Sequence, residues 1–233
     1  MSKEAQEQDE AVFNKLKGFY KSCVDLDSFN KKGGKPVLDL FNQLKINENK
    51  DKYNDPDELA IILAKLNQVK IASMVPLPTP LFRMDLSWDE FANTTSIVLS
   101  QTLPITQGLN KKKLREVLVK IFEGSEERDV DKMIDSVYDI ENKLFGIGKS
   151  TKSIPINYQK RVSFKLSTVK SLNEDYPNIN WKLYLEENYK SVGKTDVITE
   201  DSEVFNVTPD FIKKLNSVLG EVDGEALSYY FEM

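Results

Sequence analysis

Histidine is absent from all 233 residues. That zero removes the usual general base at neutral pH, the Ser/His and Cys/His nucleophile pairs, and every zinc site built on imidazole. Most hydrolytic mechanisms therefore cannot be assembled from this chain. A single cysteine, Cys23, excludes an internal disulfide and any CxxC metal or redox pair, and leaves the redox compartment open. Long apolar runs are missing too: the longest, Leu59 to Ala64, falls far short of the roughly 20 residues that span a bilayer. The charged start MSKEAQEQDE has no signal-peptide character, so neither a membrane span nor a signal peptide is expected. Nor is there a surplus of basic charge. With 32 Lys and Arg against 37 Asp and Glu the net charge is -5, which argues against nucleic acid or an anionic membrane as partner. The short clusters Lys31-Lys32 and Lys111-Lys113 read as solvated element ends.

What is present points to a packed helical protein. The hydrophobic fraction of 40%, with 12 Phe, 9 Tyr and 2 Trp, is too apolar and aromatic for a disordered segment. The 10 Gly and 9 Pro gather between periodic segments, the arrangement expected of many helices with definite stops. Val12, Phe13, Leu16, Phe19, Tyr20 and Cys23 stripe a first helix that needs a partner surface, and a turn over Asp25 to Gly34 is expected to end it. Pro36 then opens a segment expected to bury Val37, Leu38, Leu40, Phe41 and Leu44. The clearest helix start is Asp55-Pro56-Asp57-Glu58, a cap with proline at the first position and Glu58 placed to close a capping box. Its buried side would carry Leu59, Ile62, Leu63, Leu66 and Val69.

The prolines of Val75 to Pro80 forbid a helix, and Leu81–Leu86 with Thr95–Gln101 read as a β-hairpin joined around Asp89 to Asn93. Two amphipathic helices follow. The first is striped by Leu114, Val117, Leu118, Ile121 and Phe122, and the second by Val130, Met133, Ile134, Val137, Ile140, Glu141 and Leu144, with Gly124-Ser125 between them. Gly146 to Gln159 is the best linker candidate. Ser167 and Asn180 are expected to cap later helices, Trp181 and Tyr184 to be core anchors, and Val204 to Val207 to be extended. Thr208-Pro209-Asp210 starts a helix that Gly220 would end in a left-handed turn. The last segment, Glu225 to Met233, is marginal by itself and reads as a truncation. The expected organisation is a helical part with the hairpin over 1–145, a linker over 146–160 and a second helical part over 161–233. The fold class is mainly α, a multi-helix domain with a small β-hairpin near 81–101.

Candidate chemistry mostly fails on spacing. Gly146-Ile147-Gly148-Lys149-Ser150 imitates the end of a phosphate-binding loop, but the pattern's first glycine would fall at Lys143 and no strand precedes it. Asp25, Asp27 and Gly33 hint at calcium, yet Phe29, Asn30 and Pro36 stand where an EF-hand needs an oxygen ligand, a glycine and a glutamate. Adjacent pairs such as Glu126-Glu127 and Glu186-Glu187 point in different directions on a helix and read as solvated charge. The sequons at Asn93 and Asn206 would permit glycosylation in a secreted chain.

Order along the chain carries further. Phe19-Tyr20-Lys21-Ser22-Cys23-Val24-Asp25, followed by Gly34-Lys35-Pro36-Val37-Leu38-Asp39-Leu40, resembles the Tyr-x-x-Cys…Gly-x-x-Pro-Leu segment of neprilysin-like zinc metallopeptidases, the family that includes endothelin-converting enzymes. Pro80-Leu81-Phe82 with Asp85 and the strand ending at Gln101 is similar to that family's short hairpin, and Pro177-Asn178-Ile179-Asn180-Trp181 with Tyr184-Leu185 to its Pro-x-Ile-x-Trp-x-x-Tyr-Leu segment. Thr208-Pro209-Asp210-Phe211 resembles a further helix start, with Asp210 in place of the more usual glutamate. The similarity departs at Thr102-Leu103-Pro104-Ile105 and Asn110-Lys111-Lys112-Lys113, where the family has a Gly-Leu-x-Leu-Pro run and paired aromatics.

The resemblance implies a two-domain, mostly helical enzyme whose second domain limits access to peptide-sized substrates, and this chain would be much of that non-catalytic region. The family's zinc ligands, the two His of an H-E-x-x-H helix and a downstream Glu, fall beyond Met233 in the family's order, so no catalytic, cofactor-binding or metal residue carries over. Zinc would belong to the catalytic half, and the chain alone is expected to be inactive. Cys23 matches a family cysteine whose disulfide partner lies in that other half; a small buried hydrophobe is the alternative reading. The implied partners are the catalytic segment and peptide substrates, and the implied location is an extracellular or membrane-anchored ectodomain. The alternative function is a stand-alone, non-catalytic helical module that binds peptides or proteins.

Overall fold

The computed structural model describes residues 3–69, 80–89, 94–123, 128–146 and 165–233. The expected linker core, the prolines of 75–79, the connection over 90–93, the Gly124-Ser125 separator and most of the phosphate-loop imitation lie outside them. The chain begins with α1 (Lys3–Val24), α2 (Leu26–Lys32), α3 (Lys35–Leu44), a 3₁₀ turn (Asn47–Lys52) and α4 (Pro56–Gln68). The hairpin β1 (Phe82–Asp89) and β2 (Thr94–Gln101) precedes α5 (Lys111–Ile121) and α6 (Val130–Phe145). β3 (Lys165–Thr168), α7 (Val169–Asp175), α8 (Trp181–Lys190), β4 (Glu203–Asn206), α9 (Pro209–Leu219) and α10 (Gly224–Phe231) complete it. The mainly α class with a small β element holds.

Helix ends follow local chemistry. Asp55 accepts from the amides of Asp57 and Glu58 at 2.9 and 3.1 Å, with Pro56 at the first position, although Glu58 makes no return bond. Asn180 caps α8 through Leu183 N, and Asp223 caps α10 through Ala226 N. Three boundaries differ from expectation. Asp25 to Gly34 is not a plain turn: Asp25 accepts from Ser28 N and Oγ, capping the seven residues of α2. Thr168, one residue after Ser167, caps α7 in a reciprocal box with Ser171, because Ser167 is held in β3 opposite Val204. Gly220 sits at φ -74°, so α9 ends without a left-handed residue.

The hairpin is half of a larger sheet. Its order is β1-β2-β4-β3, with β2 and β4 parallel and the other pairs antiparallel. β1 starts at Phe82 because buried Leu81 takes φ 66°, closing a γ-turn in which Phe82 N donates to Pro80 O at 2.8 Å. This left-handed conformation costs a bulky residue of order 1–3 kcal/mol, and burial of the side chain holds it there. Phe82 meets the rings of Trp181 and Tyr184 at 5.1 and 5.2 Å, which seats α8 on the hairpin. α4 lies along α8, and α10 packs on α6 and the 3₁₀ turn, so one core joins elements from both sides of residues 147–164. The last helix is therefore not marginal in the fold: Leu227, Tyr230 and Phe231 are buried.

Gly34 shows how tightly α3 meets α5. A Cβ there would lie 2.0 Å from the Ile121 carbonyl oxygen, a backbone group that cannot swing aside. Gly34→Ala is expected to destabilise by about 1–3 kcal/mol through overpacking, read from urea unfolding. Gly18→Ala, where nothing lies within 4 Å, is the control and should be neutral or slightly stabilising.

Candidate functional site

A cleft of about 790 Å³ lies between the hairpin, α8 and the end of α4. Its floor is apolar, formed by Met84 of β1, Ile97 of β2 and Leu185 of α8. Met84 and Leu86 share a face with Ile97 and Leu99 through the register Met84↔Leu99 and Leu86↔Ile97. The wall is made of carboxamides. Asn67 Nδ2 donates to Asn188 Oδ1 at 2.8 Å, Asn188 Nδ2 donates to Tyr184 O at 2.8 Å, and Gln68 Nε2 donates to Glu187 O at 3.2 Å. The end of α4 is thereby tied to α8, while Asn67 Oδ1 and Gln68 Oε1 accept from no described residue. Leu86, 61% exposed, and Val192, 71% exposed, flank the mouth. Among the described lining residues Asp85 alone is charged, and it is ion-paired with Arg83 Nε. Burial pushes the Tyr184 phenol far above its ordinary range, with Asp85 adding to the shift. It stays neutral.

A second polar feature is buried. Glu141, on the apolar stripe of α6, has no solvent exposure and accepts from Ile105 N and Thr106 Oγ1, from Thr106 N at 3.1 Å, and from Tyr230 OH at 3.4 Å. Burial raises its pKa, and the hydrogen bonds from Thr106, Ile105 and Tyr230 oppose the rise. One carboxylate thus pins residues 105–106 against α6 and α10. Glu232 is a parallel case: burial raises it, opposed by the Arg128 guanidinium at 3.0 Å.

The residues singled out in the sequence do not converge. Cys23 is an exposed free thiol, so its reading as a buried hydrophobe is corrected: the α1 stripe around it, Phe13, Leu16, Phe19 and Tyr20, is exposed as well. Asn206 is fully buried in β4, with Oδ1 accepting from Thr208 N at 3.2 Å, and cannot carry a glycan in this fold. Asn93 and Glu126-Glu127 lie outside the described residues. Lys31 and Lys32 close α2, and Lys111 pairs with Asp135 at 2.8 Å. Glu186 and Glu187 face Lys182 and Lys190 separately. Gly146 is a left-handed C-cap of α6. Trp181 and Tyr184 are core anchors, as expected.

Among the described residues no donor set for a zinc ion comes together. There is no histidine in the sequence, the lone cysteine is on an exposed helix face, and among the described residues no three Cys, Asp or Glu gather as a metal site. No described helix is long and apolar enough to cross a membrane. The cleft residues Asn67, Gln68 and Asn188 belong to no motif in the sequence; the available signal is a pair of carboxamides between Leu66 and Val69 of the α4 stripe.

Comparison with known proteins places the chain. Among curated sequences no protein is significantly similar. The open-state cryo-EM structure of the Mycobacterium tuberculosis zinc metalloprotease Zmp1 has a TM-score of 0.62 to this chain at 18% identity, a likeness of fold. The match covers 91% of this chain and 32% of Zmp1, so the chain spans about a third of that protein's length. The model for the N-terminal region of peptidase family M13 matches residues 1–233 from end to end, and the chain belongs to that family.

Proposed function

We propose that this chain is the non-catalytic, cavity-forming region of an M13 zinc metalloendopeptidase, governing which peptides reach a zinc centre held by a separate catalytic segment. The observation that carries this reading is a family match over the whole chain in a sequence with no histidine to bind zinc. The exposed apolar stripe of α1, with Phe13, Leu16, Phe19 and Tyr20 all more than half exposed, continues through Leu26 and Phe29 of α2. A contiguous apolar surface of this kind marks an interaction face. Cys23 lies on it. In this reading the stripe meets the catalytic segment, Cys23 forms a disulfide with it, and the assembled enzyme works outside the cytoplasm as an ectodomain, where such a bond persists.

The chain alone should take up no stoichiometric zinc and cleave no quenched fluorescent peptide. Co-expressed with an H-E-x-x-H-bearing M13 segment, it should co-purify as a zinc-containing, active complex. Tight zinc uptake with turnover by the isolated chain would overturn the proposal. A second reading, a stand-alone helical module that binds peptides without cleaving them, is favoured by the shared core linking early and late elements. A monomer that unfolds cooperatively and ignores the catalytic segment would select it.

A further inference from the structure

We propose that Glu141 is a proton-operated latch on the connection between β2 and α5: protonated, it holds residues 102–109 closed on α6 and α10, and ionised, it lets them lift so that water reaches the carboxylate. This goes beyond the access role above and does not depend on a catalytic segment. Glu141 lies on α6 with no solvent exposure, and its one carboxyl group collects Ile105 N and Thr106 Oγ1, Thr106 N at 3.1 Å and Tyr230 Oη at 3.4 Å. Three of these four donors belong to two consecutive residues of the connection, and the fourth to α10. Thr102 and Thr106 are themselves buried, so the segment is seated at its start and at its middle. Releasing one side chain frees it from two helices. The segment also falls where the sequence departs from the neprilysin-like pattern, at Thr102-Leu103-Pro104-Ile105, so the latch is not a feature that the family resemblance supplies.

The surroundings give the latch its sign. A carboxylate withdrawn from water is held ionised by a cation, and neutral donors offset only part of the cost of burying its charge. The titratable groups beside Glu141 are Tyr230 of α10 and Tyr138 of α6, both phenols pushed up by burial. The charged residues of α5 and α9, which also pack on α6, are all exposed. On α10, Glu225 pairs with Lys132 and Glu232 with Arg128. On α6 itself, Asp131, Asp135 and Asp139 pair with Arg115, Lys111 and Lys143. Residues 102–109 contain no Lys, Arg, Asp or Glu. Protonation removes the cost and keeps the contacts: with Oε2 donating to Thr106 Oγ1, a hydroxyl that can accept, Oε1 still accepts from Ile105 N and lies 3.4 Å from Thr106 N. Burial accordingly raises the carboxyl above its ordinary 4.5. The closed form is complete below 4.5 and gives way as pH rises through the raised value, the proton passing to water as the segment opens.

The test is amide hydrogen exchange on the full chain at about pH 5 and about pH 8, corrected for intrinsic exchange rates. Protection of the Thr106 amide is expected to fall about tenfold or more between the two in the parent, and less than about twofold in Glu141→Gln, which cannot titrate. Leu63 of α4 and Leu185 of α8, in the core away from the latch, should keep their protection in both proteins. A second measurement needs no variant and so survives a failure of Glu141→Gln to fold. In the parent, the carboxyl ¹³C shift of Glu141 should titrate with a midpoint above 4.5, and the Thr106 amide shift should follow the same curve. The proposal fails if Thr106 protection is independent of pH, if Glu141→Gln loses as much of it as the parent, or if Leu63 and Leu185 lose protection in step with Thr106. It also fails if the carboxyl titrates at 4.5 or below, or if the Thr106 amide ignores that titration. None of these outcomes bears on zinc or complex formation, so failure here leaves the access role standing.

Discussion

Replacing Trp181 with alanine is expected to destabilise the protein by about 3–5 kcal/mol, the range for removing a buried aromatic side chain. The indole is 1% exposed, its ring lies 5.1 Å from that of Phe82, and its Nε1 donates to Tyr176 O at 3.0 Å. It therefore fills the space where α8, the start of β1 and the end of α7 meet. Against a total stability of about 5–15 kcal/mol for a typical domain, that loss leaves a strongly weakened fold. Trp181→Phe separates packing from hydrogen bonding: it keeps much of the apolar fill but leaves Tyr176 O without its donor, an expected cost of about 1–3 kcal/mol. Urea unfolding followed by circular dichroism reads both variants. An alanine variant within 1 kcal/mol of the parent would show that the junction is held by something else. Because α8 also carries Asn188, the alanine variant should lose the cleft as well.

Glu141 gives the second large effect, one with a pH signature. Glu141→Leu would strip the acceptor from Ile105 N, Thr106 N and the Thr106 hydroxyl at a site closed to water. Each orphaned group costs about 1–3 kcal/mol, so a loss of about 3 kcal/mol or more is expected. The sign of the pH dependence follows from burial, which raises the folded-state pKa above the ordinary value of 4.5. Below 4.5 the carboxyl is protonated in both folded and unfolded chains, and its favourable contribution is complete. Between 4.5 and the raised value the unfolded chain gives up its proton first, so stability falls as pH rises through that window. Glu141→Gln cannot titrate. The difference in thermal midpoint between parent and Glu141→Gln should therefore move steadily against the parent as pH rises from 4.5. Glu232, also raised by burial, is present in both proteins and cancels in the comparison. Parallel midpoint curves would show that Glu141 does not titrate differently on folding.

Much of this architecture was legible one residue at a time. Asp55-Pro56 marked the start of α4 because a cap and a fixed φ act within four residues. The α6 stripe was read correctly down to Glu141, a carboxylate in line with Met133, Val137 and Ile140 whose position already implied burial. Other elements were misread for a common reason. Periodicity names the face a helix would bury but cannot say whether anything covers it, so the stripe of α1 was expected to be packed and is exposed. Val37 and Val117 fail in the same way, each on the expected inner face yet at least one-third exposed. α2 reads as a turn in the sequence because seven residues hold too little periodicity to announce a helix.

The order of the Tyr20-Cys23, Pro177-Trp181 and Pro209-Phe211 segments was enough, without coordinates, to point to the N-terminal region of a neprilysin-like peptidase, the family whose model matches the chain. Composition and short motifs are local properties, and they survive any uncertainty about packing. The cleft is different. Its wall and floor come from α4, the hairpin and α8, with Asn67 tied to Asn188 across 121 positions of chain. Only the docking of Phe82 against Trp181 and Tyr184 brings α8, and with it Asn188, to the hairpin.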